Sequence, residues 1–250
     1  MTNLAGKIAL VTGAGNGIGR AIATGLANRG AVVAVLDLNV AAAAETAEMI
    51  LRNGGQAFAG KTDISDEESV RQAIAGILDD YGRLNIAVNN AGVPSSSQEL
   101  TEMTAAAWEH VIRVDLTGTF FSLKHEIRAM TQAGGGAIVN IASGGGLFAI
   151  PHSPAYVASK HGVIGLTKAA AIDYAKDGIR VNALAPGMTR TAKLEQVAQG
   201  TPMIASHEAL TPLGRLGTPD EIADAAIWLC SGEASYITGT VLTIDGGRRA

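Results

Sequence analysis

The sequence predicts an α/β protein: a single doubly wound domain over residues 1–250, its seven-stranded, mostly parallel sheet covered by helices on both faces. Three observations carry this. Short aliphatic runs alternate with longer segments of helical periodicity from end to end. Several of the short runs are apolar on both faces, as a parallel sheet covered on two sides requires. No linker, composition break or repeat beyond the alternation itself interrupts the chain.

Each element has its own signature. Strands are expected at Ile8–Val11, Val32–Leu36, Ala57–Gly60, Leu84–Val88, Ala137–Ala142, Ile179–Leu184 and Val241–Ile244. An alanine-rich helix begins near Val40 and ends at Gly54-Gly55, where glycine supplies the left-handed stop. Ser65-Asp66-Glu67-Glu68 is a capping box in sequence, and Val70, Ile74, Ile77, Leu78 and Tyr81 share the face behind it. A long helix covers Thr104–Gln132, and Gly134–Gly136 turns the chain into the fifth strand. A second long helix runs from Ala155 to Lys176 after Pro154. Thr218-Pro219-Asp220-Glu221 has a similar cap with proline at the first helical position, leading into Ile222, Ala226 and Leu229. Ala192–Leu210 is poorly patterned, and residues 188–212 are expected to be a lid that excludes water from a bound ligand.

Bulk composition narrows the functional classes. A 47% hydrophobic share with 17% charged residues describes a chain that buries a large core. A formal charge of −4 leaves no electrostatic footprint for nucleic acid. The densest basic pair, Arg248-Arg249, is expected to be a solvated tail or a subunit contact. The single cysteine, Cys230, excludes an internal disulfide, disfavours secretion and sits in an apolar helical pattern that implies packing. Without a charged leader or an apolar stretch near ~20 residues, a cytoplasmic protein with no membrane contact is expected. His110, His125, His152, His161 and His207 show no metal-ligand spacing, so no metal is expected. His152, just before the second long helix, is a candidate for lining a ligand pocket, and His161 should point away from the chemistry.

Thr12-Gly13-Ala14-Gly15-Asn16-Gly17-Ile18-Gly19 comes directly after the first strand and opens the first helix. Its glycines permit positive φ and close approach of backbone to a pyrophosphate, and the helix N-terminus offers free N–H groups. Eighteen positions after Gly19, at the end of the second strand, stands Asp37. A carboxylate there accepts hydrogen bonds from both ribose hydroxyls of NAD and repels the 2′-phosphate of NADP. Neither Asn16 nor Leu38 supplies a compensating cation. NAD is the expected cofactor.

Tyr156 and Lys160 lie four apart and therefore on one helix face. A free phenol has a pKa near ~10, and lowering it to ~7 needs about 4 kcal/mol of differential stabilisation. A neighbouring ammonium and the positive nicotinamide ring both favour the phenolate. Ser143 lies just beyond the fifth strand, at the carboxyl edge where ligands bind in open α/β sheets, and can stabilise charge developing on a substrate oxygen. The adjacent Gly144–Gly146 run either leaves room for substrate or forms a flexible loop.

From about Lys7 to Gly247 the chain resembles the short-chain dehydrogenase/reductase family. The resemblance rests on an ordered set of motifs: Thr12–Gly19, Asp63-Ile64, Asn89-Asn90-Ala91-Gly92, Ser143, Tyr156-x-x-x-Lys160, Pro186-Gly187 and Asp245-Gly246-Gly247. It implies a Rossmann-like seven-stranded sheet and hydride transfer between an alcohol or ketone and a nicotinamide. It further implies that Ser143 hydrogen-bonds the substrate, that Tyr156 is the general acid/base, and that Lys160 anchors the ribose and lowers the tyrosine's pKa. The cofactor set it implies comprises Gly13, Asn16, Gly17, Ile18 and Gly19 at the phosphates, Asp37 at the adenosine ribose, and Asp63 and Ile64 around the adenine. Asn90 is placed near the ribose, Pro186 and Gly187 at the turn after the sixth strand, and Thr189 and Thr191 against the nicotinamide amide and phosphates. A homotetramer is implied too, with the Thr104–Gln132 helix and the catalytic helix packing across one dyad.

One position departs from the family pattern. Asp115 stands where an asparagine is usual, a residue thought to support a water linking the lysine to solvent. If the backbone carbonyl is the key contact, aspartate substitutes freely; if the side chain matters, a carboxylate beside Lys160 weakens its field at Tyr156. The expected function is thus an NAD(H)-dependent dehydrogenase of a secondary alcohol. The alternatives are an NADPH-dependent 3-oxoacyl-[acyl-carrier-protein] reductase, which Asp37 and Asp177 oppose, and a dinucleotide-binding regulator that has lost catalysis.

Overall fold

The computed structural model describes residues 3–94 and 97–249. Seven strands form one sheet in the order β3-β2-β1-β4-β5-β6-β7. They are β1 (Ile8–Thr12), β2 (Val32–Asp37), β3 (Gln56–Lys61), β4 (Ile86–Asn89), β5 (Gly136–Ile141), β6 (Ile179–Pro186) and β7 (Val241–Ile244). Every pairing is parallel, so the sheet is wholly rather than mostly parallel. Strand order reverses between β1 and β4, which opens a crevice at their carboxyl ends.

Register is dictated by burial on both faces. Ala9 pairs with Val33 and Val11 with Val35, and all four face the core beneath α1 (Gly17–Ala27), α2 (Val40–Arg52) and α9 (Pro219–Cys230). Leu10 pairs with Ala34 and points the other way, towards α3 (Glu67–Tyr81), α5 (Gly118–Gln132) and α6 (Pro154–Tyr174). A slip of one residue would exchange the two sets, and each set is shaped to its own helices.

The helix ends differ from expectation in two places. The cap of α3 is Asp66, which accepts from the Glu68 N–H at 3.1 Å; Ser65 instead donates its hydroxyl to Asp63 at 2.7 Å, so no capping box forms there. The box at Thr218 and Glu221 does form. The long helix expected over Thr104–Gln132 is broken into α4 (Ala105–Val111), a π-helical stretch Ile112–Thr117, and α5. An extra residue per turn rotates the rest of the helix, and such bulges gather at functional sites. Gly134–Gly136 is the expected turn: Gly134 and Gly135 have φ of 80° and 126°, and a Cβ on Gly135 would lie 2.7 Å from the Gly178 carbonyl oxygen.

A polar seam crosses the core under the crevice. Asn89 Nδ2 donates to Glu126 Oε2 at 2.9 Å and to Asn140 Oδ1 at 3.0 Å, and Asn140 Nδ2 donates to Thr167 Oγ1 at 2.9 Å. It ties β4, β5, α5 and α6 together. Glu126 is fully buried, its one hydrogen-bond partner among the described residues is the neutral Asn89, and burial pushes its carboxyl up to about 7. The folded state therefore keeps a proton that the unfolded chain releases near its ordinary ~4.3. Stability from this group is complete below about pH 4 and is lost as pH rises towards 7, by about 3 kcal/mol at most. Replacing Glu126→Gln removes the titration. The Tm of the variant minus that of wild type should widen from pH 5 to pH 8 in calorimetry; a gap independent of pH would show that Glu126 is not held protonated.

Candidate active site

The crevice is built first by glycine. Gly13 and Gly17 have φ of 62° and 54°, and a Cβ on Gly13 would sit 2.8 Å from Ala91 Cα. Gly19 abuts the Gly13 carbonyl so closely that no side chain fits. Asn16 caps α1 in extended conformation without a side-chain cap bond, so the first N–H groups of the helix are left without a side-chain partner there. Ile18 packs partly buried against the core. Asn90 acts as a buttress: its Nδ2 donates to the carbonyls of Thr12 and Gly13, both at 3.0 Å. Arg20, which stands outside the motifs read from the sequence, holds the loop too. Its Nε donates to the Gly15 carbonyl at 3.0 Å, and Nη2 pairs with Glu45 at 3.1 Å. A basic residue one turn into the helix after a glycine-rich loop is the signal that could have found it.

Asp37 lies at the tip of β2. Oδ2 accepts from the Gly15 N–H and Oδ1 from the Asn39 N–H, both at 2.9 Å. Each oxygen keeps a lone pair free for a ribose hydroxyl. A Cβ on Gly15 would sit 2.8 Å from Asp37 Oδ2, so the loop and the carboxylate are fitted to each other. Asp63 spends Oδ1 on Ser65, and Ile64 is buried with its carbonyl close to Gly118.

Ser143, Tyr156 and Lys160 are brought together at the end of β5. Ser143 Oγ accepts from the Gly145 N–H at 3.0 Å, which leaves its own proton to donate. Lys160 Nζ lies 5.6 Å from the Tyr156 ring centroid and donates to the carbonyl of Ile141, the last residue of β5, at 3.2 Å. Asp115, projected from the π-helical stretch, is wholly buried; its Oδ2 is 3.7 Å from Lys160 Nζ and its Oδ1 accepts from the Val93 N–H at 2.8 Å. Burial drives the Asp115 carboxyl above its ordinary range, opposed by the Lys160 charge and the Val93 N–H.

The three glycines after Ser143 differ from expectation. They form a short 3-10 turn, and a Cβ would strike Phe148 from Gly144, Ile150 from Gly145 and the Lys160 carbonyl from Gly146. They make room for the protein's own groups around the catalytic helix rather than for a substrate. Beyond β6, Gly187 N–H donates to Ile244 O at 2.9 Å and fixes the turn after Pro186. Thr189 Oγ1 donates to Gly187 O at 3.2 Å, and Thr191 caps α7 (Ala192–Ala198) with its Cγ2 3.4 Å from where a Gly17 Cβ would be. The residues after Thr191 thus start beside the phosphate loop. They continue into α8 (Met203–Ala209), so the unpatterned segment is two short helices. His152 has φ of 56° and an exposed ring 3.9 Å from Glu99 Oε1, while His161 faces solvent as expected. Cys230 is buried among apolar groups, its thiol pushed up to about 12. Among the described residues no group of His, Cys, Asp or Glu is arranged to hold a metal, and no helix is long and apolar enough to cross a membrane.

Residues 13–249 match a family model described as Enoyl-(Acyl carrier protein) reductase. Cyclohexanol dehydrogenase of Acinetobacter sp. (strain SE19) is 41% identical over 240 residues, covering 96% of this chain and 94% of that protein. 2,5-Dichloro-2,5-cyclohexadiene-1,4-diol dehydrogenase of Sphingobium indicum (strain UT26S) is 41% identical over 249 residues, 99% and 98% of the two chains. A solved short-chain type dehydrogenase/reductase from Mycobacterium marinum superposes with a TM-score of 0.94 at 35% identity, covering 99% and 97%. The chain belongs to the short-chain dehydrogenase/reductase family. It is an oxidoreductase of CH–OH groups, interconverting a secondary alcohol and a ketone.

Within this dehydrogenase the Asp115 side chain, and not its backbone alone, is in position to act on Lys160. Where Asp115 is ionised, its carboxylate 3.7 Å from the ammonium offsets part of the field of Lys160 at the Tyr156 phenol, which would raise the pH that Tyr156 needs to act as a base. Asp115→Asn should therefore move the acid limb of kcat/KM for alcohol oxidation to lower pH, by about one pH unit. Superimposable profiles for the two proteins would remove the carboxylate from the mechanism.

Proposed function

We propose that this enzyme is an NAD(H)-dependent dehydrogenase of cyclic secondary alcohols, with Tyr156 as general acid/base. The observation that carries the reading is the convergence of Ser143, Tyr156 and Lys160 on the end of β5, beside the glycine cradle. The cradle fits a dinucleotide: a close-approach loop, open N–H groups on α1, and a carboxylate at the tip of β2 with lone pairs to spare. When bound, NAD supplies the acceptor for the hydride. The chain supplies everything else. Asp37 holds the adenosine ribose; Gly13, Gly17 and Gly19 keep the backbone open to the pyrophosphate, and Thr189 and Thr191 approach the nicotinamide end. Ile64 and Asp63 border the adenine, and Pro186-Gly187 set the wall opposite.

Ser143 donates its free hydroxyl proton to the substrate oxygen, and Tyr156 takes the carbinol proton during oxidation or returns it during reduction. Lys160 has three N–H donors: one goes to Ile141, one faces Asp115, and one remains for the cofactor ribose. Helices α7 and α8 act as the lid. Ring alcohols are favoured because two relatives at 41% identity are named for them. We place the enzyme in the cytoplasm as a homotetramer, with α5 and α6 pairing across a dyad; a groove of about 570 Å³ between these helices, lined by Phe120, Leu123, Leu166 and Tyr174, favours that face.

Two measurements test this. With cyclohexanol and related ring alcohols, NAD reduction should be readily followed, and Tyr156→Phe should lower kcat about 10³-fold with NADH binding retained; a variant within tenfold of wild type would remove Tyr156 from the acid/base role. For the cofactor, kcat/KM should favour NAD over NADP by about a hundredfold, or ~2.7 kcal/mol, and Asp37→Ser should erase most of that preference. A wild-type preference for NADP would reverse the assignment.

A further inference from the structure

Residues 245–249 form neither a free solvated tail nor an unattached basic pair. Gly246 and Gly247, with φ of 66° and 84°, turn the chain back over the segment after α8. The Leu213 N–H donates to Gly246 O at 3.2 Å, and a Cβ on Gly246 would sit 2.7 Å from Thr211 Cγ2. Arg248 and Arg249 then reach two separate segments, α8 and the loop that follows Ser143. On the lid, Arg248 Nη1 is 2.8 Å from His207 Nδ1 of α8. On the other side, the Arg249 guanidinium lies 3.9 Å from the centroid of the Phe148 ring. Phe148 packs on Gly144, the neighbour of Ser143. Arg249 thus stands one aromatic ring away from the loop that carries the catalytic serine.

Neither guanidinium pairs with a carboxylate among the described residues. Nearby, Arg190 holds both Glu195 and Glu208 and Arg215 holds Glu221, while Asp245 accepts the Gly247 N–H at Oδ1 and forms no ion pair with either arginine. Burial and the Arg248 charge hold His207 below its ordinary range, so its ring accepts from Arg248 and brings no counter-charge. A guanidinium stacked on a ring keeps its N–H donors along its edge, a fork that matches a carboxylate in two-point contact.

We propose that Arg248 and Arg249 recognise a carboxylate on the substrate, so that the alcohol oxidised here is a hydroxy acid whose ring separates the carbinol from the acid group. This rests on the dehydrogenase reading and names its substrate class. The carboxylate supplies a counter-charge to both guanidiniums and draws α8 towards the Ser143 loop, so a correct substrate closes its own lid.

The test compares 4-hydroxycyclohexanecarboxylate with its neutral amide, using enzyme saturated with NAD. The acid should have a kcat/KM at least tenfold higher, mainly through KM. The double substitution Arg248→Gln with Arg249→Gln should bring the acid-to-amide ratio to about one. Equal kcat/KM in wild type, or a preference that survives the double substitution, overturns the proposal. Calorimetry of cyclohexanecarboxylate and cyclohexanecarboxamide on the enzyme–NAD complex provides a readout free of turnover. Tighter binding of the acid, lost in the double variant, supports the arginine site even if no probe is oxidised, and that combination would count against the activity reading alone. Equal binding of acid and amide overturns the site.

Discussion

The arrangement around Lys160 is set by the need to bury an ammonium. Lys160 is only 6% exposed, and an uncompensated charge there would cost several kcal/mol. Three separate elements meet that demand. The carbonyl ending β5 accepts a hydrogen bond from Nζ, the π-helical stretch delivers Asp115 to 3.7 Å, and Gly92 keeps the space between them clear. A regular helix through residues 112–117 would place the next turns at a different rotation. The π-helical geometry is thus the backbone's accommodation to a buried pair, and it marks the site as clearly as the side chains do.

The pair is only as exact as the sheet beneath it. Ile141 and Ser143 are positioned by β5, which is paired on both sides and crossed by the seam from Glu126 through Asn89 and Asn140 to Thr167. Amide side chains satisfying one another in a low-dielectric interior have few alternative partners, so the seam fixes the relation of β4 and β5 to α5 and α6 more tightly than apolar packing would. Catalytic helix and serine loop are then carried by elements whose relative placement is already determined. The glycines at 144–146 serve the same end, since each permits an approach of the loop to α6 that a side chain would block.

Much of this is legible in the sequence because it depends on local pattern. Aliphatic runs mark the strands, glycine spacing after a strand marks the phosphate loop, and a separation of four marks the Tyr156–Lys160 face. The illegible remainder depends on contacts between distant segments. Arg20 supports the loop by reaching across it, Asn90 is legible as a site residue but its hold on the loop carbonyls is not, and Glu126 is an acid on a buried helix face between Ser122 and Met130, a choice that local propensity does not favour. The break in the Thr104–Gln132 helix is hidden because residues 112–117 can all join an ordinary helix; tertiary demand at Asp115, not propensity, reshapes them. Ser65 misleads in the opposite way, since a nearby Asp63 competes for its hydroxyl.

Local charge along the cleft also runs against what the bulk figure suggests. A formal net charge of −4 implies a mildly acidic surface everywhere. In the fold, the adenosine end is acidic through Asp37, and the nearby Arg20 is occupied by Glu45 and the Gly15 carbonyl. Arg248 and Arg249, on the turn that follows β7, form no ion pair with an acid among the described residues. Opposite signs at separate places on a binding surface orient a ligand before any close contact forms. On the proposed assignment, an anionic substrate would be drawn towards Arg248 and Arg249, and a dinucleotide bearing an extra phosphate at its ribose would meet the carboxylate of Asp37.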